Sequence, residues 1–440
     1  MQITTAGMIY IPILLISAIF KDYKFNLKLL IVLSALTTVA VVKLGNNDIL
    51  VYHVSFVIVL LKYLRERHWK IKGENNFLKA FVVYAALTIP FSILFKGVKV
   101  VSVDGVHIGA RFSFQQITQY LYLLIAYFTY VIVKNSIREN HVSIKEIENT
   151  ISYAFIIVII IGFLQKILPL SFINTFFRNS SHTIYNSMGD RISSTFLEPS
   201  MLALFATPIL VAWIYSLFKQ GGGNLMSWIL LFAGIILMIM SESSSFIIGI
   251  FAGVLIWIFD ILNNRETKIQ KKLMIVIMLI FFICIITVIE FRENISNNLE
   301  LFIMKIEVNK DSQSGMERMD RFITSLSAFF KSYLLGVGWG SLRSTDLFST
   351  LLAEVGLVGN ILLYSYILKS FHKLLKIGTG EAKKLFMLQA VSLVILMVSV
   401  SEFYYFFIWI YWAMGDSLAK HDKESYEEMK TLQIKHATQE

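Results

Sequence analysis

Apolar residues fall in long runs along the whole chain, at 6–20, 27–44, 49–64, 77–95, 114–133, 149–168, 200–218, 226–241, 245–262, 273–290, 347–368, 385–400 and 403–417. A helix needs ~20 apolar residues to cross the hydrocarbon core of a bilayer. The runs therefore predict an all-α, polytopic membrane helical bundle of about 12–14 transmembrane helices over residues 1–417, with several spans on the short side. A membrane β-barrel would show ~10-residue alternating segments instead. The last two runs, parted by Ser401-Glu402, fit two helices, one bent helix or a re-entrant hairpin.

Charge gives the bundle a direction. One set of alternate loops holds Lys21, Lys24 and Lys28; Lys62, Arg65, Arg67, Lys70 and Lys72; Lys134, Arg138 and Lys145; Arg265, Lys268, Lys271 and Lys272; and Lys369, Lys373, Lys376, Lys383 and Lys384. Cytoplasmic loops carry such an excess of positive charge. This puts the N-terminus outside and the polar tail, 418–440, in the cytoplasm. No Lys or Arg precedes the first apolar run, so the first helix is expected to remain rather than be cleaved as a signal peptide.

The opposite set includes two long extracytoplasmic loops, 169–199 and 291–346, and loops of this length are usually functional or disordered. In the second, Met319, Phe322, Ile323, Leu326 and Phe329 recur at helical spacing. They predict an amphipathic helix that lies on the membrane surface or caps the bundle.

Composition agrees with this class: 56% of residues are hydrophobic, 16% are charged and mean hydropathy is +0.66. The net charge of +10 comes largely from lysines in short loops between apolar runs, so the bilayer rather than nucleic acid is the expected partner. The lone Cys284 leaves no internal disulfide and no cysteine metal site.

Arginine departs from the lysine pattern. Arg65, Arg67, Arg138 and Arg265 fall in the lysine-bearing loops, whereas Arg111, Arg178, Arg191, Arg292, Arg318, Arg321 and Arg343 fall on the other side. Lysine satisfies topology, but the guanidinium fork is the better partner for phosphate and carboxylate. An anionic ligand, phosphate or pyrophosphate, is therefore expected on the outer side. The plainer alternative is pairing with Asp190, Glu293, Glu300, Glu317 and Asp320.

Several motifs stand at that face. The polar stretch 189–200 runs into an apolar helix through Glu198-Pro199, where proline suits the first helical position and Glu198 reads as a cap or as a base. Gly336, Gly338 and Gly340 form a glycine-rich turn that resembles a phosphate cradle. It lacks the Lys-Ser/Thr of a P-loop and the strand–helix setting of a dinucleotide fingerprint. Glu242 and Ser243 lie in a Ser-rich hairpin able to hydrogen-bond sugar, or simply to turn the chain. His182 is a loop histidine, and His53 and Glu402 are ionisable groups within or beside apolar runs. No Asp-x-Asp pair and no zinc-ligand spacing occurs, so no metal and no cofactor is expected.

In order, Arg191-x-Ser-Ser-Thr-Phe-x-Glu198-Pro199-Ser200, Ser241-x-Ser243, Arg318 with Arg321, Leu335-Gly336-Val337-Gly338-Trp339-Gly340-Ser341 and Leu351-Leu352-Ala353-Glu354-Val355-Gly356-Leu357-Val358-Gly359 resemble the O-antigen polymerases (Wzy-type) and the related O-antigen ligases. The resemblance covers about residues 150–370. Arg178, followed after ten residues by Gly189, is similar to the Arg/Gly spacing of a polymerase outer loop.

The resemblance implies a glycosyltransferase of the bacterial inner membrane with its active site facing the periplasm or exterior. It would polymerise undecaprenyl-pyrophosphate-linked repeat units into a surface polysaccharide, beside a flippase and a chain-length regulator. It also implies Arg191, Arg318 and Glu198 as catalytic residues. Arg178, Arg321, Arg111, Gly338, Gly340, Asp346, Glu242 and Ser243 would then line the pyrophosphate and substrate site. Ligases carry a His-Asn pair where this chain has Thr345-Asp346, which favours polymerase over ligase. The other alternative, a flippase for lipid-linked oligosaccharide, would show two related halves, and no internal repeat is visible.

Overall fold

The computed structural model describes residues 2–44, 47–67, 76–102, 105–181, 191–219, 225–263 and 313–418. His182, Gly189, Asp190, the apolar run at 273–290 and the tail beyond residue 418 lie outside the described residues. In chain order the elements are β1 (Gln2–Ile3), α1 (Thr5–Phe20), α2 (Tyr23–Leu33), β2 (Ala40–Leu44), β3 (Asn47–Leu50), α3 (Val51–Arg67), α4 (Asn76–Thr88), α5 (Phe91–Leu94), β4 (Lys99–Val101) and β5 (His107–Gly109). There follow α6 (Phe114–Arg138), α7 (Ile144–Ile167), α8 (Leu170–Phe176), α9 (Pro199–Lys219), α10 (Leu225–Met240), α11 (Ser244–Asn263), α12 (Gln313–Lys331), α13 (Leu347–Ile377) and α14 (Gly380–Ser399). A last helix, α15, covers 406–418.

The protein is a predominantly helical, membrane-embedded bundle. Six described helices are long and apolar enough to cross a bilayer, beginning at Asn76, Phe114, Ile144, Pro199, Leu347 and Gly380, and Thr5–Phe20, Leu225–Met240 and Ser244–Asp260 are shorter apolar helices. Outward faces carry Ile16 and Ile19 on α1, Phe232 and Ile239 on α10, and Ile247 and Phe251 on α11. Apolar surface on that scale belongs in lipid rather than water.

Two departures from an all-α chain are evident. The run at 27–44 is not one helix: α2 stops at Leu33 and the chain turns into β2, the middle strand of the antiparallel sheet β1-β2-β3. The β-branched segment Thr37-Thr38-Val39-Ala40-Val41-Val42 favours the strand. A second hairpin, β4-β5, pairs Val100 with Ile108 in the loop before α6. The final apolar stretch divides into α14 and α15, with an irregular break over 400–405.

Helix starts follow local chemistry. The side chains of Thr4, Asp22, Asp346 and Thr379 accept first-turn N–H groups, and Ser113 with Gln116 and Ser143 with Glu146 form capping boxes. At the centre, α9 buries every residue from 201 to 212 and α15 buries every residue from 406 to 417. They meet through Phe205 and Phe407, whose ring centroids are 5.1 Å apart. Helix α11 approaches α9 through Gly249 and Gly253, where an added Cβ would come within 2.7 Å of Thr207 and 2.8 Å of Val211. Small residues four apart permit this close backbone approach between membrane helices.

Polar contacts between elements collect at two opposite ends. Glu146 pairs with Lys24 (2.7 Å) and Lys28 (2.9 Å), Asp260 with Lys383 (2.5 Å), and Glu148 with Lys384. At the other end of α7, ~27 Å away at 1.5 Å per residue, Gln165 accepts the N–H groups of Ser193 and Ser194. There too Thr37 and Thr38 donate to the Thr195 carbonyl, and Ser181 donates to Asp48. Arg111, Arg178, Arg191, Arg318, Arg321 and Arg343 belong with this second end.

A candidate anion-binding cleft

The cleft is built where a glycine turn meets a break in a membrane helix. In α13, Gly356 leaves helical geometry (φ 62°, ψ −163°), which frees the carbonyls of Ala353 and Glu354 and the N–H of Leu357. Such groups at membrane depth must find partners within the protein. Val337 N–H donates to the Ala353 carbonyl (2.7 Å), Gly338 N–H to Glu354 (3.0 Å), and Leu357 N–H to Leu334 (2.8 Å). Gly336 is required there because a Cβ would meet the Glu354 carbonyl oxygen at 2.5 Å.

This docking overturns the cradle reading of Gly338 and Gly340. Gly336 N–H donates to Ser332 Oγ, Trp339 N–H to Thr88 Oγ1 (3.1 Å), and the buried Glu354 carboxylate accepts from Gly340 and Leu342. The turn's N–H groups are committed to protein acceptors rather than open to phosphate, while Gly340 lines the cleft described next.

Beyond the turn lies a small, partly open cleft lined by Gln119, Trp339, Gly340, Arg343, Glu354, Ser401, Glu402 and Tyr404 among others. The Arg343 guanidinium pairs with the Glu402 carboxylate, which the break between α14 and α15 places there. Arg343 is also held through its backbone, its N–H donating to the Val101 carbonyl on β4 (2.9 Å). The indole N–H of buried Trp339 has no acceptor among the described residues. From Tyr404 an aromatic row continues to Tyr122 (5.5 Å) and then to His53, stacked on Tyr122 at 5.4 Å and 12°. His53 Nδ1 accepts the Leu50 N–H (3.3 Å).

The other candidates are distributed around this end. Arg191 donates from Nε to the Ser241 carbonyl (3.2 Å) and from Nη2 to the Glu242 carbonyl (2.9 Å), closing the C-terminus of α10. Free carbonyls at a helix end attract cations. Glu242 and Ser243 form that turn, with Glu242 at φ 50°. Glu198 accepts from Ser200 Oγ (3.2 Å), and its carbonyl accepts the N–H groups of Met201 and Leu202 at the start of α9. Arg178 is buried and donates to the Leu197 carbonyl (3.4 Å).

Arg318 is exposed on α12, and Arg111 is exposed after β5. The Arg321 guanidinium lies against Gly105 at the tip of the β4-β5 hairpin. Asp346 caps α13, accepting from Ser349 N–H and Oγ, both at 2.7 Å.

The expected grouping of Arg191 with Arg318 and Arg321 is therefore not observed. Arg191 closes a turn between α10 and α11, while Arg321 and Arg343 both touch the β4-β5 hairpin. The residues that line the cleft, Arg343 and Glu402 above all, were visible in the sequence as an outer arginine and an ionisable group between apolar runs. What brings them together is the return of the chain after α14, which no local pattern announces. Among the described residues no group of three or more His, Cys, Asp or Glu could hold a metal. Comparison with known proteins gives no matching family model and no match among curated proteins.

Proposed function

We propose that this protein is a membrane glycosyltransferase that extends a surface polysaccharide from undecaprenyl-pyrophosphate-linked repeat units, with its site at the arginine-bearing end facing out of the cytoplasm. The observation that carries this reading is the cleft itself, where Arg343 pairs with the Glu402 carboxylate at a partly open, partly apolar site. A pyrophosphate entering the cleft would compete with Glu402 for the guanidinium, since phosphate offers the fork two oxygens. Arg321 of α12, whose guanidinium lies against the tip of the β4-β5 hairpin, would add positive charge on the same side.

In the reaction an acceptor sugar hydroxyl attacks the anomeric carbon of the donor and the bond to pyrophosphate breaks. The lipid pyrophosphate leaves with the bonding pair, and Glu402, released from Arg343, takes the hydroxyl proton. Arg343 stabilises the charge that develops on the leaving group. The resemblance to O-antigen polymerases agrees with this chemistry but assigns the charge to Arg191 and Arg318, which the cleft does not contain.

The test is reconstitution of the purified protein with lipid-linked repeat units extracted from a strain lacking this gene. Chain growth by the wild type and its loss in Arg343→Ala support the proposal. Movement of the lipid-linked unit across the bilayer without growth identifies a flippase, and transfer only to a different acceptor identifies a ligase; either result overturns it.

A further inference from the structure

Helix α12 shows polarity reversed from that of a water-covered helix. At about 100° per residue, Thr324, Ser325, Ala328 and Phe329 fall on one face, which is buried where α12 packs on α13 and β4. On the opposite face stand Met319, Ile323 and Phe330, exposed by 59%, 53% and 66%. The polar pair Thr324 and Ser325 thus faces protein while a stripe of large apolar side chains faces outward.

The two ends of α12 lie at different depths. Near its start, Asp320 pairs with His107 of β5 at 2.6 Å, beside the hairpin that holds Arg343. Past its end, the Leu334 carbonyl accepts Leu357 N–H, ten residues along α13 from Leu347 and so ~15 Å deeper. There the exposed Tyr333, Leu334 and Leu335 join Leu357, Val358 and Ile361, the exposed apolar face of a helix long enough to span the bilayer.

We propose that α12 is an oblique interfacial helix whose Met319, Ile323 and Phe330 face is covered by the acyl chains of bilayer lipid. Continuity with the lipid face of α13 selects lipid over a protein partner, and Glu317, Arg318, Asp320 and Arg321 keep the shallow end in the headgroup layer. The cleft wall that follows α12 is then a re-entrant segment, irregular backbone permitted at this depth because protein covers it. The inference requires only a membrane-embedded chain and does not depend on the reaction.

The test uses the full chain with Cys284→Ser, carrying Ile323→Cys, Phe330→Cys or Glu317→Cys labelled with the environment-sensitive fluorophore NBD. Each is reconstituted in phosphatidylcholine and phosphatidylglycerol vesicles. Labels at 323 and 330 are expected to emit blue-shifted light and to lose most of it to nitroxide-bearing acyl chains, with little loss to aqueous iodide. The label at 317 should do the reverse. Quenching at 323 and 330 by iodide to the extent seen at 317 overturns the proposal. So does protection from both quenchers, which would mean a protein cover. Met319→Cys replaces either variant if it does not elute as the parent does.

Discussion

Arg343 and Arg191 place the same guanidinium in two settings that predict opposite phenotypes. Arg343 faces a carboxylate in a cleft, so Arg343→Ala should lower chain growth by roughly 10²–10³-fold, the usual effect of removing a preorganised charge donor. Because the change also strands the buried Glu402 carboxylate, growth is compared at equal folded protein, where the rate deficit should persist. Arg343→Lys should restore only part of the rate, because an ammonium cannot present the fork. Arg191 instead serves two backbone carbonyls, and hydrogen bonds to charged groups contribute ~1.5–3 kcal/mol each at most. Arg191→Ala should therefore lower the melting temperature while the folded fraction retains its rate. Loss of growth with an unchanged melting temperature in Arg191→Ala would reverse the assignment. Nothing in the sequence separates these arginines, since both precede apolar helices in outer loops. The distinction comes from the neighbours, the end of α10 for one and the break before α15 for the other.

Among elements, the helices with continuous apolar runs were legible: α7 follows from its run at 149–168, and the Ser143–Glu146 capping box starts it five residues earlier. The amphipathic α12 was legible from its periodicity, although which face meets lipid required the packing on α13. The strand β2 was not, because an apolar run that is half helix and half strand reads as one span when only hydropathy is counted. The need for glycine at 336–340 was visible, but the reason was close approach, of Gly336 to α13, Gly338 to the end of α4 and Gly340 to α6, rather than an N–H cradle. At Gly338, φ is +108° and a Cβ would lie 2.8 Å from the Thr88 carbonyl oxygen. Gly338→Ala should thus destabilise the turn, read as a lower melting temperature together with increased protease cleavage between α12 and α13. A Gly253→Leu change should likewise wedge α11 from α9, because Val211 already fills the space a Cβ would occupy. Wild-type stability in Gly253→Leu would mean that the two helices have room to separate.

At the scale of the molecule, the end opposite the cleft is tied by a buried charge network across four helices. Lys134 Nζ donates to Tyr130 Oη (2.8 Å), Tyr130 donates to Asp416 Oδ2 (2.5 Å), and Ser370 donates to Asp416 Oδ1 (3.3 Å). Lys134 and Asp416 are 3.7 Å apart and nearly inaccessible. Residues of α6, α13 and α15 are thereby joined, and Gln389 of α14 joins them by donating to the Tyr411 carbonyl (2.9 Å). Breaking one side of a buried pair strands the other charge in a low-dielectric setting and costs about 3–5 kcal/mol, whereas replacing both with apolar residues can be neutral. Asp416→Asn should therefore lower the melting temperature sharply, and Lys134→Met combined with Asp416→Leu should recover much of the loss. On α13 the cleft residues end at Glu354, 16 residues before Ser370, or roughly 24 Å away at 1.5 Å per residue. The double variant should accordingly keep both chain growth and its response to Arg343→Ala. If it regains stability but loses growth, the network contributes to function and is not only a clamp on the bundle.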